Sequence, residues 1–252
     1  MKTAVITGAS AGLGLEFVRQ LEGAFPEIQC VWLIARNREK LEEAAKSLKK
    51  TQVKILPLDL CAESSFRELS DVLAAEQPEV ALLVNNAGCG YLGNVGETAL
   101  EVQARMVDLN VRALTAVTHI TLPYMGQGGR IINVSSIASF CPNPRMTVYS
   151  STKAYVSSFN RGLKEELAPK GIKVTAVCSG PMATEFLDIG GIAGNSKTFD
   201  ILPYCDPAKV VKGTYAASRA GRTVHTPRAF YKLYRFIAKV LPQPLMIKFT
   251  KT

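Results

Sequence analysis

The sequence lacks any apolar run long enough to cross a membrane, because no uncharged apolar stretch approaches about 18 residues. The first residues enter a strand-like segment without the apolar region of a signal peptide. The six cysteines are scattered singly, without a C-x-x-C pair or the spacing of metal ligands, and there are only two histidines. We therefore expect a cytoplasmic protein with reduced thiols and no metal site.

Acidic residues are missing from the last part of the chain. Residues 207–252 contain ten Lys or Arg and no Asp or Glu, so this segment accounts for the net charge of +9. A basic surface of this kind attracts anionic partners, such as a membrane surface or an acidic carrier protein. Because the sequence contains no recognised nucleic-acid-binding module, we expect no nucleic acid partner.

A glycine-rich turn follows the first apolar strand, at residues 4–6, and precedes a helical segment at residues 15–21. Its glycines, Gly8, Gly12 and Gly14, have the spacing G-x-x-x-G-x-G. A strand, a glycine turn and a helix in this order place backbone N–H groups and a helix N-terminus around a diphosphate. The alternative is a turn that needs glycine only for its conformation.

The second strand, residues 30–35, ends about 20 residues beyond the glycine turn, where a dinucleotide fold places the residue that recognises the adenosine ribose. An acidic residue there would accept a hydrogen bond from the 2′-hydroxyl. Ala35 and Arg36 remove that acceptor and supply a guanidinium for a 2′-phosphate. This predicts NADP(H) in preference to NAD(H), and the alternative is that Arg36 and Arg38 are solvated loop charges.

Strand-like and helical segments alternate along the chain. We predict further strands at 53–58, 80–84 and 130–136 and helices at 38–50, 63–76 and 98–121. Alternation of this kind predicts an α/β fold of the Rossmann type, a doubly wound parallel sheet with helices on both faces. At 252 residues the chain is expected to form a single domain.

Tyr149 and Lys153 lie four residues apart in a segment expected to be helical. This spacing places both side chains on one face, about 6 Å apart along the axis. An ammonium beside a phenol favours the phenolate, which would make Tyr149 a usable acid and base at neutral pH. The spacing alone is not specific, since an amphipathic helix with an exposed Tyr and Lys would show it too.

In combination the motifs resemble the short-chain dehydrogenase/reductase family. Their order and spacing match, including the serine and the tyrosine 13 positions apart, and the resemblance extends from residue 1 to about residue 185. The matching residues are Thr7-Gly8-Ala9-Ser10-x-Gly12-x-Gly14, Asn85-Asn86-Ala87-Gly88, Asn110, Ser136 and Tyr149-x-x-x-Lys153.

The resemblance implies a catalytic set of four residues. Tyr149 would donate and accept the proton, and Lys153 would lower the pKa of Tyr149 and hold the nicotinamide ribose. Ser136 would hydrogen-bond the substrate oxygen. Asn110 would bend its helix and hold a water that links Lys153 to solvent.

The resemblance also implies the cofactor contacts. Asp59 would contact the adenine amino group, and Asn86 and Gly88 the adenosine side. The segment at 180–184 is similar to the family's P-G-x-x-x-T beside the nicotinamide, although Gly and Pro stand here in reverse order. The full expected set is Gly8, Ser10, Gly12, Leu13, Gly14, Arg36, Asp59, Leu60, Asn86, Ala87, Gly88, Asn110, Tyr149, Lys153, Pro181, Met182 and Thr184.

Residues 183–204, rich in glycine and apolar residues, suit a lid over the substrate. Tyr91 and Cys141 are expected on loops that face the same cleft. An apolar wall implies a hydrophobic or bulky ketone. The expected substrate contacts are Ser136, Phe140, Met146 and Tyr149.

The catalytic domain with its lid is assigned to residues 1–227, and residues 228–252 are a basic amphipathic extension. A helix is expected over 227–241, with basic residues at helical spacing and with prolines beyond it that end the helix. One interpretation, through residues 228–241, is a helix on an anionic membrane surface. Packing on the body or at a dimer interface is an equally open alternative. The basic residues are Lys232, Arg235 and Lys239, and the prolines are Pro242 and Pro244.

These features predict an NADP(H)-dependent oxidoreductase that interconverts a ketone and a secondary alcohol on a hydrophobic substrate, with a steroid-like ring system favoured. We expect a homodimer or homotetramer. One alternative is a 3-oxoacyl thioester reductase of fatty-acid type, in which the basic tail attracts an acidic carrier protein. A different class is a non-catalytic dinucleotide-binding sensor, which would not require Ser136, Tyr149 and Lys153.

Overall fold

In the computed structural model, which describes residues 1–250 and 252, the chain folds around one sheet of seven parallel strands. In chain order the strands are β1 Lys2–Thr7, β2 Cys30–Ile34, β3 Gln52–Leu56, β4 Glu79–Asn85, β5 Arg130–Val134, β6 Lys173–Val177 and β7 Val224–His225. Their order in the sheet is β3-β2-β1-β4-β5-β6-β7. The chain winds outwards to β3 and then crosses to the other side of β1, which confirms the predicted doubly wound α/β fold.

The helices connect the strands and then form a C-terminal extension. They are α1 Gly12–Ala24, α2 Arg38–Ala45, α3 Glu63–Glu76, α4 Leu100–Val107, α5 Ala113–Thr121, α6 Thr147–Leu167, α7 Glu185–Ile189, α8 Lys197–Ile201, α9 Pro207–Arg219, α10 Ala229–Val240 and α11 Gln243–Phe249. A π-helical segment, Asp108–Arg112, joins α4 to α5.

The central strands are buried on both faces, because helices cover the sheet on each side, whereas the edge strands β3 and β7 are only partly buried. Val5 of β1 belongs to the apolar core beneath α3, α5 and α6, whereas its neighbours Ala4 and Ile6 belong to the core beneath α1 and α9. Trp32, the single tryptophan, is buried in β2 on the same side as Val5. The near-continuous apolar runs of these strands follow from this double burial.

One predicted helix boundary is wrong, and one proline has a different role from the one expected. The helix expected over 38–50 ends at Ala45, because the Glu22 carboxylate accepts hydrogen bonds from the backbone N–H groups of residues 49–51 at 2.7–2.9 Å. Those N–H groups are thereby withdrawn from a helix. Pro242 follows the last helix turn of α10, but Pro244 lies in the first turn of α11, where the missing N–H has no helical partner to lose.

The C-terminal extension packs on the body. Tyr231 of α10 is fully buried, and Thr250, after α11, accepts a hydrogen bond from Asn143 Nδ2 at its carbonyl oxygen (3.2 Å) and donates one to the Pro142 carbonyl oxygen (2.9 Å). Within the described part of the chain, no helix is both long and apolar enough to cross a membrane.

Candidate active site

The candidate site lies at the carboxyl ends of β1, β4, β5 and β6. The sheet reverses its winding between β1 and β4, and this switch point leaves a crevice outside the strand ends. The glycine turn follows β1, the Asn86 segment follows β4, Ser136 follows β5 and Pro181 follows β6. The fold therefore brings together segments that are far apart in sequence.

The glycine turn fits a diphosphate. Gly8 and Gly12 have φ angles of 65° and 52°, which favour glycine, and a Cβ atom on Gly14 would overlap the Gly8 carbonyl. Helix α1 has no capping side chain at Ala11 and no acidic residue in its first turn. The first N–H groups of α1 are therefore available to an anion, so these residues can hold the pyrophosphate of a dinucleotide.

Asn86 fastens the loop after β4 to the glycine turn. Its amide Nδ2 donates to the carbonyl oxygens of Thr7 (3.0 Å) and Gly8 (3.1 Å). The Thr7 hydroxyl oxygen in return accepts hydrogen bonds from the backbone N–H groups of Asn86 and Ala87, both at 3.0 Å. The side chain of Asn86 thus positions the turn, a role that its place in the motif did not reveal. Its expected contact with the adenosine side stays a prediction.

At the adenosine end, Asp59 forms an ion pair with Arg105 (3.6 Å) and accepts a hydrogen bond from the Cys61 N–H (3.1 Å). Burial raises the pKa of Asp59, but the Cys61 N–H and the charges of Arg105 and Arg36 outweigh it, so the pKa lies below its usual value. Arg36 is exposed directly after β2, and Leu60 is buried next to Asp59. Arg105 has no motif around it, and the sequence analysis missed it.

Tyr149 and Lys153 lie side by side on α6, and both are almost fully buried. The Lys153 ammonium is 5.7 Å from the centre of the Tyr149 ring and donates a hydrogen bond to the Val134 carbonyl oxygen at 2.9 Å. The Ser136 side chain is hydrogen-bonded to Tyr149 and also accepts from the Ala138 N–H (3.1 Å). The structure thus brings the serine, the tyrosine and the lysine together.

Burial governs the protonation of this pair. It raises the pKa of Tyr149 to about 12, although the hydrogen bond with Ser136 partly opposes the rise, and it lowers the pKa of Lys153 to about 8. The expected lowering of the Tyr149 pKa by Lys153 stays a prediction. Lys153 lies beside the ring, donates to a backbone carbonyl oxygen and is itself desolvated by burial.

Asn110 lies in the π-helical segment between α4 and α5, where the helical hydrogen-bond pattern changes. The expected bend at Asn110 stays a prediction. Its Oδ1 accepts from the Cys89 N–H, and its Nδ2 donates to the Cys89 carbonyl oxygen, both at 2.8 Å. Nδ2 also donates to Thr152 Oγ1 at 3.0 Å. Asn110 therefore ties the loop after β4 to α6 beside Lys153. Its contact with a water stays a prediction.

Gly88 and Gly90 bring the backbone of the loop after β4 close to the site. A Cβ atom on Gly88 would lie 2.9 Å from Asn110 Oδ1 and 3.4 Å from Lys153 Nζ. One on Gly90 would lie 2.7 Å from the Tyr149 ring. Only glycine fits at these approaches. Gly90 lies outside the motifs that the sequence shows.

An apolar wall surrounds Tyr149. Met106, Met146, Leu187 and Ile192 are buried in one cluster with it. The ring of Phe186, in α7, lies 5.7 Å from the Tyr149 ring between centroids. Tyr91 is partly buried against the same cluster. The sequence analysis placed residue 186 in the lid but did not identify it as a partner of the tyrosine.

Phe140 and Cys141 do not join this wall, which corrects the expectation that they face the cleft with Met146. The Phe140 ring lies 6.0 Å from that of Tyr234 in α10, and Cys141 is buried 3.8 Å from Thr250 Oγ1. Both residues therefore support the C-terminal extension. The reason is that α10 and α11 fold back onto this loop, a contact between distant segments that no local pattern indicates.

The segment after β6 is held between the glycine turn and the extension. Thr184 lies beside Gly12, where a Cβ atom would be 3.6 Å from the Thr184 Cβ. A side chain at Gly180 would overlap the Tyr231 ring of α10, which gives a physical reason for glycine before Pro181. Pro181 accepts a hydrogen bond from the Cys205 N–H (2.7 Å), and Met182 packs against the core.

The lid, residues 183–204, contains the two short helices α7 and α8. Lys40 of α2 forms an ion pair with Glu185 at 3.2 Å and so connects α7 to the adenosine side. Ser10 and Leu13 lie in the turn and at the start of α1. In the part of the chain that the structure describes, no group of three or more His, Cys, Asp or Glu could hold a metal ion.

A doubly wound parallel sheet with a glycine turn at its switch point and an adjacent Ser-Tyr-Lys set defines an oxidoreductase of the dinucleotide-binding class. The chain matches the short chain dehydrogenase family over residues 2–189. The protein therefore belongs to the short-chain dehydrogenase/reductase family, as the motifs predicted, and it is an enzyme of that family.

The relatives agree with this assignment. The chain is 32% identical over 197 residues to an uncharacterized oxidoreductase of Staphylococcus epidermidis, which covers 75% of this chain and 83% of that protein. It is similar to the structure of a short-chain dehydrogenase from Sphingobium yanoikuyae in complex with NADPH, with a TM-score of 0.80, 25% identity and coverage of 96% and 97%. A bulky-bulky ketone specific alcohol dehydrogenase from Comamonas testosteroni gives a TM-score of 0.75, 27% identity and coverage of 98% and 94%.

Proposed function

We propose that the protein is an NADP(H)-dependent enzyme that reduces bulky, hydrophobic ketones to secondary alcohols and catalyses the reverse reaction. The observation that carries this proposal is the apolar wall around Tyr149. The Tyr149 hydroxyl and Ser136 are its polar groups. Met106 and Met146 are buried beside Tyr149, and the partly buried Phe186 supplies apolar surface. A site of this composition favours a carbonyl flanked by apolar groups over a sugar.

The bound nicotinamide cofactor would supply or accept the hydride. The glycine turn and the start of α1 would bind its pyrophosphate. Ser136 and the Tyr149 hydroxyl would donate hydrogen bonds to the carbonyl oxygen as negative charge develops there. The pKa of about 12 keeps the phenol protonated at neutral pH, so Tyr149 is poised to donate its proton to the more basic alkoxide oxygen.

Arg36 supports the preference for NADP(H). It is exposed at the end of β2, and no acidic residue occupies the position before it, Ala35. A guanidinium there can bind a 2′-phosphate through two parallel hydrogen bonds. The similar enzyme from Sphingobium yanoikuyae, which was solved with NADPH, is consistent with this proposal.

The similarity to a bulky-bulky ketone specific enzyme supports a substrate with large groups on both sides of the carbonyl. A steroid-like ring system has that shape and is the favoured class. A second candidate is a 3-oxoacyl thioester, because the ten basic and no acidic residues of 207–252 could attract an acidic carrier protein.

The test is a screen of NADPH oxidation against steroid ketones, other bulky ketones, 3-oxoacyl thioesters and small aldehydes. We expect the highest kcat/KM with the bulky ketones. A matched Tyr149→Phe variant keeps the ring but loses the hydroxyl, so kcat should fall about 100-fold to 10,000-fold while NADPH still binds. A variant within about tenfold of the parent, or turnover of small aldehydes alone, contradicts the proposal.

A further inference from the structure

Helix α10 has two different sides. On the body side, Tyr231 is fully buried, and its hydroxyl donates to the Pro203 carbonyl oxygen at 2.7 Å. Tyr234 lies on the same side, against Phe140. These contacts fix how the helix is rotated about its axis, and therefore which of its side chains face outwards.

The outward side is apolar. Phe230 is 52% exposed, Leu233 58%, Phe236 64% and Val240 63%. Because each residue of a helix turns by about 100°, these four side chains fall within an arc of about 120°. Single exposed apolar residues are ordinary on a protein surface, but a contiguous row along one helix indicates an interaction site.

Basic side chains border this apolar row. Lys232 and Lys239 are exposed, and the same helical geometry places both next to Phe236, on the side away from Tyr234. No acidic residue occurs after Asp206. Among the described residues, no ion pair involves α10. The positive charges beside the row are therefore not neutralised within the chain.

We propose that the exposed row of α10 docks on an anionic lipid surface, with the helix axis in the plane of the membrane. The apolar side chains would enter the boundary between headgroups and acyl chains, and Lys232 and Lys239 would bind lipid phosphates. A second copy of the chain suits the row less well. A two-fold contact through this face would bring the same positive charges together without an acidic partner.

Docking through α10 would place the lid side of the active site, where the substrate enters, near the membrane. Arg228, just before the helix, donates a hydrogen bond to the Tyr204 carbonyl oxygen, and Tyr231 contacts both Gly180 and Pro203. The end of the lid is thus attached to the docked helix. An apolar substrate dissolved in the membrane would then lie close to the cleft. Binding to the membrane itself does not depend on the proposed reaction.

The test is co-sedimentation of the full chain with vesicles of phosphatidylcholine, alone or with about one third phosphatidylglycerol. We expect retention on the anionic vesicles at low ionic strength and release as salt is added. Leu233→Gln with Phe236→Gln should weaken retention at least tenfold. Lys232→Gln with Lys239→Gln should weaken it about 25-fold on anionic vesicles, about fivefold for each charge.

Matched controls keep the test specific. Lys49→Gln with Lys50→Gln removes two exposed charges elsewhere, and Val95→Gln with Leu100→Gln removes two exposed apolar side chains; neither should change retention. No retention of the parent on anionic vesicles at low salt overturns the proposal. Full retention of the Leu233→Gln, Phe236→Gln variant also overturns it. The same holds if this variant loses retention but has a smaller oligomer mass by light scattering, because the row would then be a contact between copies of the chain.

Discussion

Replacing Lys153 with methionine should stabilise the protein at neutral pH while abolishing its proposed activity. Lys153 is almost fully buried, and one backbone carbonyl, that of Val134, accepts its hydrogen bond. Burial lowers the pKa of its ammonium from 10.5 to about 8. Below pH 8 the folded protein therefore holds a charge that the unfolded chain would solvate better, and methionine has a similar length without that charge.

The size of the effect follows from the pKa. The fall of the Lys153 pKa from 10.5 to about 8 corresponds to about 3 kcal/mol of lost stability at pH 7. The lost hydrogen bond to Val134 offsets about 1 kcal/mol of the gain, so Lys153→Met should be more stable by about 2 kcal/mol. The folded-state pKa is depressed, so the penalty is complete below about pH 8 and disappears above 10.5. The advantage of methionine should shrink to near zero at pH 10.

Urea unfolding can be followed through the fluorescence of Trp32, which is buried in β2. The parent and Lys153→Met should be compared at pH 7 and pH 10 without cofactor, so that all other titrating groups cancel in the difference. Lys153→Arg is the matched control, because it keeps a charge at both pH values and should gain no stability at either. A methionine variant that is less stable than the parent at pH 7, or whose advantage does not depend on pH, would refute the reasoning.

Two further predictions concern the cofactor and the C-terminal extension. Replacing Ala35 with Asp and Arg36 with Ser should shift the ratio of kcat/KM values from NADPH towards NADH by at least about tenfold. The reason is that the 2′-phosphate of NADPH loses its cation and the ribose hydroxyl of NADH gains an acceptor. Equal use of both cofactors by the parent would contradict the role of Arg36. Tyr231→Ala should cost about 3–5 kcal/mol of unfolding free energy. Gly180→Ala should cost much less in the presence of Tyr231→Ala than alone, because the overlapping ring is gone; additive costs in urea denaturation would show that the two positions do not touch.

The fold could be predicted from the sequence because the local apolar patterns agree with the final packing of the strands and helices. Helix α3 begins and ends at the predicted residues, 63 and 76, and the five predicted strands agree with β1 to β5 within two residues at each end, whereas β6 and β7 were not predicted. Parallel strands buried on both faces have continuous apolar runs, which are readily found in a sequence. The boundary of α2 was missed because Glu22, far away in the sequence, binds the backbone where the helix was expected to continue.

The site was predicted only as far as its motifs reach. Motif spacing identifies the glycine turn, Ser136 and Tyr149 in the sequence. Phe186 and Arg105 belong to no motif, because their roles depend on contacts between distant segments. Phe186 contacts Tyr149 because α7 folds over the cleft, and Arg105 in α4 pairs with Asp59 in the loop after β3. The extension was ambiguous for the same reason. Its amphipathic pattern fits packing or docking, and only the burial of Tyr231 distinguishes the two sides.

Spacing along a helix also predicts which side chains are neighbours, but not how they titrate. Tyr149 and Lys153 are adjacent in α6, as expected, yet burial raises the pKa of Tyr149 and lowers the pKa of Lys153, which favours the neutral form of each. The fold thus places the hydroxyl donors in a site where they are already desolvated. When negative charge develops on a carbonyl oxygen, the hydroxyls of Tyr149 and Ser136 can stabilise it without first being desolvated. The low solvent exposure that costs stability at Lys153 is the same property that strengthens these hydrogen bonds, and it arises from the packing around α6, not from the spacing of the motif.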